Sequence, residues 1–182
     1  MAFGDSLTAG YGLKPNESFP VQLEASLRRQ GIAARVHNAG VSGDTTAAGK
    51  ARLAWVLNAL KAKPDLVIVE LGANDMLRGL PVAQARANLE AILSELRRRR
   101  LKVLIAGMRS APNMGRAYVT AFEGMYPALA KAYGAGLYPF FLNGVAARRG
   151  MTLPDGLHPT APGVAVIVRG ITPAVKAGLG VR

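Results

Sequence analysis

The sequence predicts an α/β fold of three layers, α/β/α, with a parallel sheet of five strands at its centre. Three observations lead there. Leu66-Val67-Ile68-Val69 and Val103-Leu104-Ile105-Ala106 are continuously apolar rather than alternating, the mark of strands covered on both faces in a parallel sheet. Between and after them, Leu89, Ile92, Leu93 and Leu96, then Phe122, Met125, Leu129, Ala132 and Tyr133, recur at helical spacing. A length of 182 residues, 50% of them hydrophobic, suits a single domain over residues 1–182 with a full core.

The elements follow in order. Met1-Ala2-Phe3 enters a glycine-rich turn as the end of a strand would, although three residues are short for one. Ser18 is placed to cap a helix with Pro20 in its first turn, Leu23 and Leu27 on one face, and Gly31 as its stop. Ile32 to His37 reads as a strand and Asn38 to Gly43 as a loop. Asp44 then caps a helix running towards Lys63 and halted by Pro64, which puts Gly43 at a helix N-terminus. Leu137 to Phe141 supplies the last strand, and a final helix occupies much of Ala161 to Leu179, with a break expected at Pro173.

Composition narrows the class of protein. No apolar run approaches the roughly 18 residues of a membrane span, so a soluble chain is expected. Without cysteine there is no disulfide framework and no thiolate metal site. The formal charge of +12 invites a polyanion reading, yet the cations are mostly dispersed. The one cluster, Arg97 to Arg100, follows an amphipathic helix, where cations complement the negative end of the dipole, and no aromatics interleave it for nucleic-acid stacking. The start shows no basic segment followed by a long apolar one. The expected compartment is periplasmic or extracellular if a signal segment lies upstream, and cytoplasmic otherwise.

The chemistry gathers around Ser6, in the turn Gly4-Asp5-Ser6-Leu7. A serine hydroxyl is a nucleophile only when a base takes its proton and donors await the oxyanion. The chain has two histidines. His37 stands at a strand end and reads as merely exposed or satisfied. His158 lies in Asp155-Gly156-Leu157-His158-Pro159, where Asp155 could fix the imidazole tautomer and stabilise its cation. An Asx-turn and helix cap is the plainer reading of that motif. The backbone N–H of Ser6, the backbone N–H of Gly43 and the side-chain amide of Asn74 all fall at strand C-termini, where open α/β sheets bind ligands.

Four separated blocks, Gly4-Asp5-Ser6-Leu7, Gly40-Val41-Ser42-Gly43-Asp44, Gly72-Ala73-Asn74-Asp75 and Asp155-Gly156-Leu157-His158, resemble those of the SGNH (GDSL) hydrolase family in the family's order. Thr8 to Leu13, Gly107 to Asn113 and Tyr138 to Leu142 are similar to the bacterial multifunctional thioesterase, lysophospholipase and arylesterase group within it. The resemblance implies a flavodoxin-like strand order and ester hydrolysis through an acyl-enzyme, with no metal or organic cofactor. It implies Ser6 as nucleophile, His158 as base, Asp155 as its orienting partner, and Ser6 N–H, Gly43 N–H and Asn74 as the oxyanion hole. Loops Met76 to Leu80 and Met108 to Met114 would border the acyl pocket, with Met76, Leu77, Met108 and Met114 as substrate contacts or as plain core.

One departure stands out. The family ordinarily has a full strand before the serine block, and this first strand reads as truncated, which would leave the neighbouring strands with unpaired groups. The expected partner is a small-molecule ester, with no nucleic acid, transient contact with lipid surfaces, and a monomeric state. The alternatives are a carbohydrate acetylesterase of the same family and a catalytically impaired protein whose basic surface binds membranes. A phosphate-binding reading of Gly43 to Lys50 fails on spacing, because five residues separate Gly43 from Gly49 where a P-loop has four.

Overall fold

The computed structural model describes residues 1–181. Five strands, β1 (Ala2–Gly4), β2 (Asn38–Gly40), β3 (Val67–Glu70), β4 (Val103–Ala106) and β5 (Gly136–Tyr138), form one sheet in the order β2-β1-β3-β4-β5. Every pairing is parallel. The order reverses beside β1, so the switch point at which α/β sheets bind ligands falls at the C-terminal end of β1.

The helices are α1 (Ser6–Ala9), α2 (Phe19–Arg29), α3 (Thr46–Ala59), α4 (Ala73–Leu77), α5 (Val82–Arg98), α6 (Arg116–Tyr133) and α7 (Ala161–Leu179). α2 packs on α7, while α3 packs on α5 and α5 on α6, which makes the two outer layers. Val67, Ile68, Val69, Leu104, Ile105 and Ala106 are all buried, as their unbroken apolar runs predict. Each large apolar side chain taken fully from water contributes about 1.5–3 kcal/mol. Phe19 of α2 meets Phe141 edge-on at 4.9 Å and ties the second layer to the chain beyond β5.

The short first strand fills both its ladders. Ala2, Phe3 and Gly4 pair with Asn38, Ala39 and Gly40 on one side and with Ile68, Val69 and Glu70 on the other. Ala2 N–H donates to His37 O and Ile68 N–H to Met1 O, both at 2.9 Å, and Val41 N–H donates to Gly4 O at 3.0 Å. Its neighbours match that length among the described residues, β2 being equally short and β3 one residue longer.

Several boundaries differ from the sequence reading. Ile32 to His37 is not a strand; the partner of β1 is Asn38–Gly40, within the stretch read as a loop. The segment before it is held instead by side chains of α2, with Arg28 Nε donating to Ala34 O and Val36 N–H to Glu24 Oε2. The α3 cap is Thr45, whose Oγ1 accepts from Ala48 N–H, because the Asp44 carboxylate is engaged by Arg52 at 2.6 Å. Gly43 therefore sits in the turn before the cap and not at the helix start. β5 stops at Tyr138 because Pro139 has no N–H to continue the ladder. α7 runs unbroken through Pro173, and the Thr172 hydroxyl bonds back to Val168 O at 2.6 Å beside the lost backbone bond.

Gly40 is where β2 and α1 meet most closely. A Cβ there would run into the Ala9 backbone, which cannot rotate aside as a side chain can. Gly40→Ala is expected to cost about 1–3 kcal/mol in urea denaturation, the usual range for overpacking. An unchanged midpoint would mean that α1 slides freely on β2.

Candidate active site

The site grows from the C-terminal ends of β1 and β3. Asp5 follows β1 and caps α1, its Oδ1 accepting from Leu7 N–H at 2.9 Å. Ser6 is therefore the first helical residue, where a backbone N–H has no partner within the helix. Gly10, at φ 91°, ends the helix after four residues and turns the chain away. Ser6 is buried but keeps 8% exposure in a turn whose Asp5 and Thr8 are wholly enclosed.

The imidazole beside Ser6 arrives from the far end of the chain. Residues 151–160 form a tight loop closed by Leu153 N–H to His158 O (2.7 Å) and Thr160 N–H to Met151 O (2.9 Å), with a bridge between Thr152 and Pro159. This loop sets His158 Nε2 at 2.9 Å from Ser6 Oγ and His158 Nδ1 at 2.7 Å from Asp155 Oδ2. The other Asp155 oxygen, Oδ1, accepts from Leu157 N–H at 2.9 Å and His158 N–H at 3.0 Å. Asp155 thus bonds the turn through one oxygen and the imidazole through the other. The Tyr11 ring lies 4.5 Å from the imidazole and covers it from outside. His37 is exposed and takes no part.

The third wall comes from β3. Gly72 caps α4 at φ 119°, where a Cβ would strike the Tyr126 hydroxyl, and that hydroxyl donates to Leu71 O at 3.1 Å. Asn74 follows in the first turn of α4. Its Nδ2 donates to Asp44 O at 3.0 Å and to Asp5 Oδ2 at 3.2 Å, tying the Gly43 loop and the Ser6 turn to one amide. Arg78 Nη2 holds Gly43 O at 2.8 Å. Of the expected acyl-pocket residues, Met108 is buried at 3% exposure and Met76 also packs in the core, whereas Leu77 is exposed and Met114 half-buried.

Sequence reasoning missed the braces behind these groups. Asp75 accepts from Thr46 N–H at 2.8 Å and from Thr46 Oγ1 at 2.6 Å, and Asn88 Nδ2 donates to the same hydroxyl at 3.2 Å. This locks the start of α3 to α4 and α5. Arg52 bridges Asp44 to Gly4 O and stacks over Phe3, 4.3 Å from its centroid. The available signal was the apolar setting of these polar residues, which must find partners when buried.

A serine hydroxyl, an imidazole and a carboxylate in hydrogen-bonded series on a glycine-rich turn make one comparison decisive. Residues 2–166 match the GDSL-like Lipase/Acylhydrolase family. The chain belongs to this family. It is 39% identical over 176 residues to the esterase TesA of Pseudomonas aeruginosa, covering 97% of this chain and 87% of that protein. It is 40% identical over 159 residues to an arylesterase of Vibrio mimicus, covering 87% and 78%. Among solved structures, AlinE4, an SGNH-hydrolase family esterase, superposes with a TM-score of 0.83 at 55% identity, covering 97% of this chain and 93% of that one.

The Asp155 carboxyl of this GDSL-family chain is held down to about 2, first by the Leu157 N–H and then by the imidazole. A depressed carboxyl stabilises the fold above its unfolded value and loses that contribution as pH falls through the folded one. The 151–160 loop should therefore stay closed through mildly acidic pH and open only towards about pH 2. Carbon NMR of the Asp155 carboxyl checks this; a midpoint at the ordinary 3.8 would mean that the two N–H bonds are not made in solution.

Proposed function

We propose that Ser6 attacks the carbonyl of a carboxylic ester, that His158 Nε2 takes its proton, and that Asp155 steadies the resulting imidazolium through Nδ1. The chain is a serine ester hydrolase, and neither an impaired membrane-binding protein nor a carbohydrate acetylesterase is favoured. The observation that carries the mechanism is the unbroken series Ser6 Oγ, His158, Asp155 at 2.9 and 2.7 Å.

The tetrahedral oxyanion takes bonds from Ser6 N–H, Gly43 N–H and the Asn74 amide. Asn74 keeps its 3.0 Å bond to Asp44 O as an anchor, and the hydrogen now directed at Asp5 across 3.2 Å turns to the oxyanion. His158 then returns the proton to the leaving alkoxide, and the second half-reaction repeats these steps with water. The acyl chain lies along residues 76–80, which are the end of α4 and the turn after it rather than the loop expected from the sequence, and along residues 108–114, where Leu77 and Met114 reach the surface and Met76 and Met108 back them from the core. The substrates are aryl and short- to medium-chain acyl esters, with thioesters and lysophospholipids as further candidates, met by a monomer with at most transient contact with lipid surfaces.

A panel of aryl esters of graded acyl length, run beside a thioester and a lysophospholipid, tests this. Turnover is expected on the short and medium esters and declines with length. Turnover of the lysophospholipid alone would overturn the substrate range, and none on any member would overturn the mechanism.

A further inference from the structure

Behind the Ser6 turn lies a second carboxyl that the triad does not use. Glu70 ends β3, is fully buried, and accepts from Thr8 Oγ1 of α1 through Oε2 at 2.8 Å. Its other oxygen, Oε1, is buried and has no hydrogen-bond donor. Beside it stands the Asp5 carboxyl, equally buried, whose oxygens accept from Leu7 N–H and from Asn74. The Gly4 backbone packs closely on the bonded oxygen, since a Cβ on Gly4 would meet Glu70 Oε2 at 2.7 Å. Two carboxylates are acceptors only, so the contact between these side chains becomes a hydrogen bond when a proton sits between them, while the Asp5 backbone N–H also bears on the Glu70 carboxyl.

We propose that Glu70 is a positioning residue for the esterase reaction: it holds a proton and donates it in a hydrogen bond to Asp5, so that the pair behind Ser6 carries one negative charge. This rests on the triad reading above. The single charge on Asp5 faces His158 and favours its imidazolium. A second charge there would oppose the oxyanion and tighten the hold of Asp5 on the Asn74 amide, which the oxyanion needs. Glu70 thus acts through Asp5 and Asn74 and touches no substrate.

The surroundings agree with a shared proton. Burial raises both carboxyls, Asp5 to about 6 and Glu70 well above its ordinary value, with the Asp5 charge adding to the rise at Glu70. The titratable and charged groups facing the pair are His158 from the 151–160 loop, Tyr126 from α6, Asp75 from α4 and Arg52 from α3. Burial and the nearby carboxylates keep the Tyr126 phenol neutral, and Arg52 reaches the pair only through Gly4 O. A carboxyl raised in the fold contributes stability at low pH and loses it as pH rises through the folded value. Activity and thermal midpoint should both fall on the alkaline side as the shared proton leaves.

Glu70→Gln keeps an N–H donor towards Asp5 and cannot lose it. It should retain kcat at neutral pH within about threefold, with KM unchanged, and lose the alkaline decline. Glu70→Ala should lower kcat by about tenfold or more with little change in KM. Infrared spectra of the resting protein at neutral pH should show a buried carboxylic-acid C=O band that Glu70→Gln removes. That band needs neither turnover nor a stable alanine variant, so its failure is distinguishable from failure of the triad. Absence of the band in the wild-type protein, or a Glu70→Gln variant whose alkaline limb is unmoved, would overturn the proposal.

Discussion

Ser6→Ala should abolish ester turnover, by at least about 10⁴-fold in kcat, while the thermal midpoint stays near that of the wild type. Among the described residues the hydroxyl bonds only to His158 Nε2, at 2.9 Å, so its removal takes away that one bond and leaves the packing of α1 untouched. His158→Ala should cost as much. The two groups work as one, so the double variant should be no slower than either single one. Retention of a tenth of the wild-type rate in a folded Ser6→Ala protein would mean that another group attacks the carbonyl.

Asn74→Ala should lower kcat by about 10²–10³-fold and leave KM close to the wild-type value, because the amide meets the oxyanion and not the ground-state carbonyl. Asn74 also ties Asp44 O to Asp5, so the thermal midpoint should be measured beside the rates. A loss of stability with kcat unchanged would make the residue a loop anchor and remove it from the oxyanion hole.

The parts of the site that the chain displays locally were legible. Asp155 and His158 are three residues apart, and one loop closed by its own backbone bonds settles their geometry. Ser6 was legible only in company: Gly-Asp-Ser alone is ordinary turn chemistry, and His158 with Asp155 elsewhere in the chain supplied the partners that a nucleophile needs. Gly43 was placed in the right loop but at the wrong point in it. The cap depends on whether the Asp44 carboxylate is free, and Arg52, a full two turns along α3, takes it.

The strand errors have the same origin. Ile32 to His37 has strand composition, yet Asn38–Gly40 pairs with β1, because the register is set by where β1 ends and by Gly40 admitting the Ala9 backbone. Proline at 173 predicts a break that α7 does not show, since packing of Ile167, Val168, Ile171 and Val175 outweighs one lost bond.

Composition and periodicity by themselves determined the layered α/β class and the buried character of β3 and β4, because these depend on residue type and short spacing, whereas Ser6, His158 and Asp155 were candidates whose roles the resemblance to the family supplied. Only the tertiary structure decided which acids are structural. Asp75 serves Thr46, and Glu70 meets Asp5 across 65 positions of sequence through the pairing of β1 with β3. Whether a carboxyl is solvated or faces another carboxyl is a property of the assembled sheet, and no local pattern carries it.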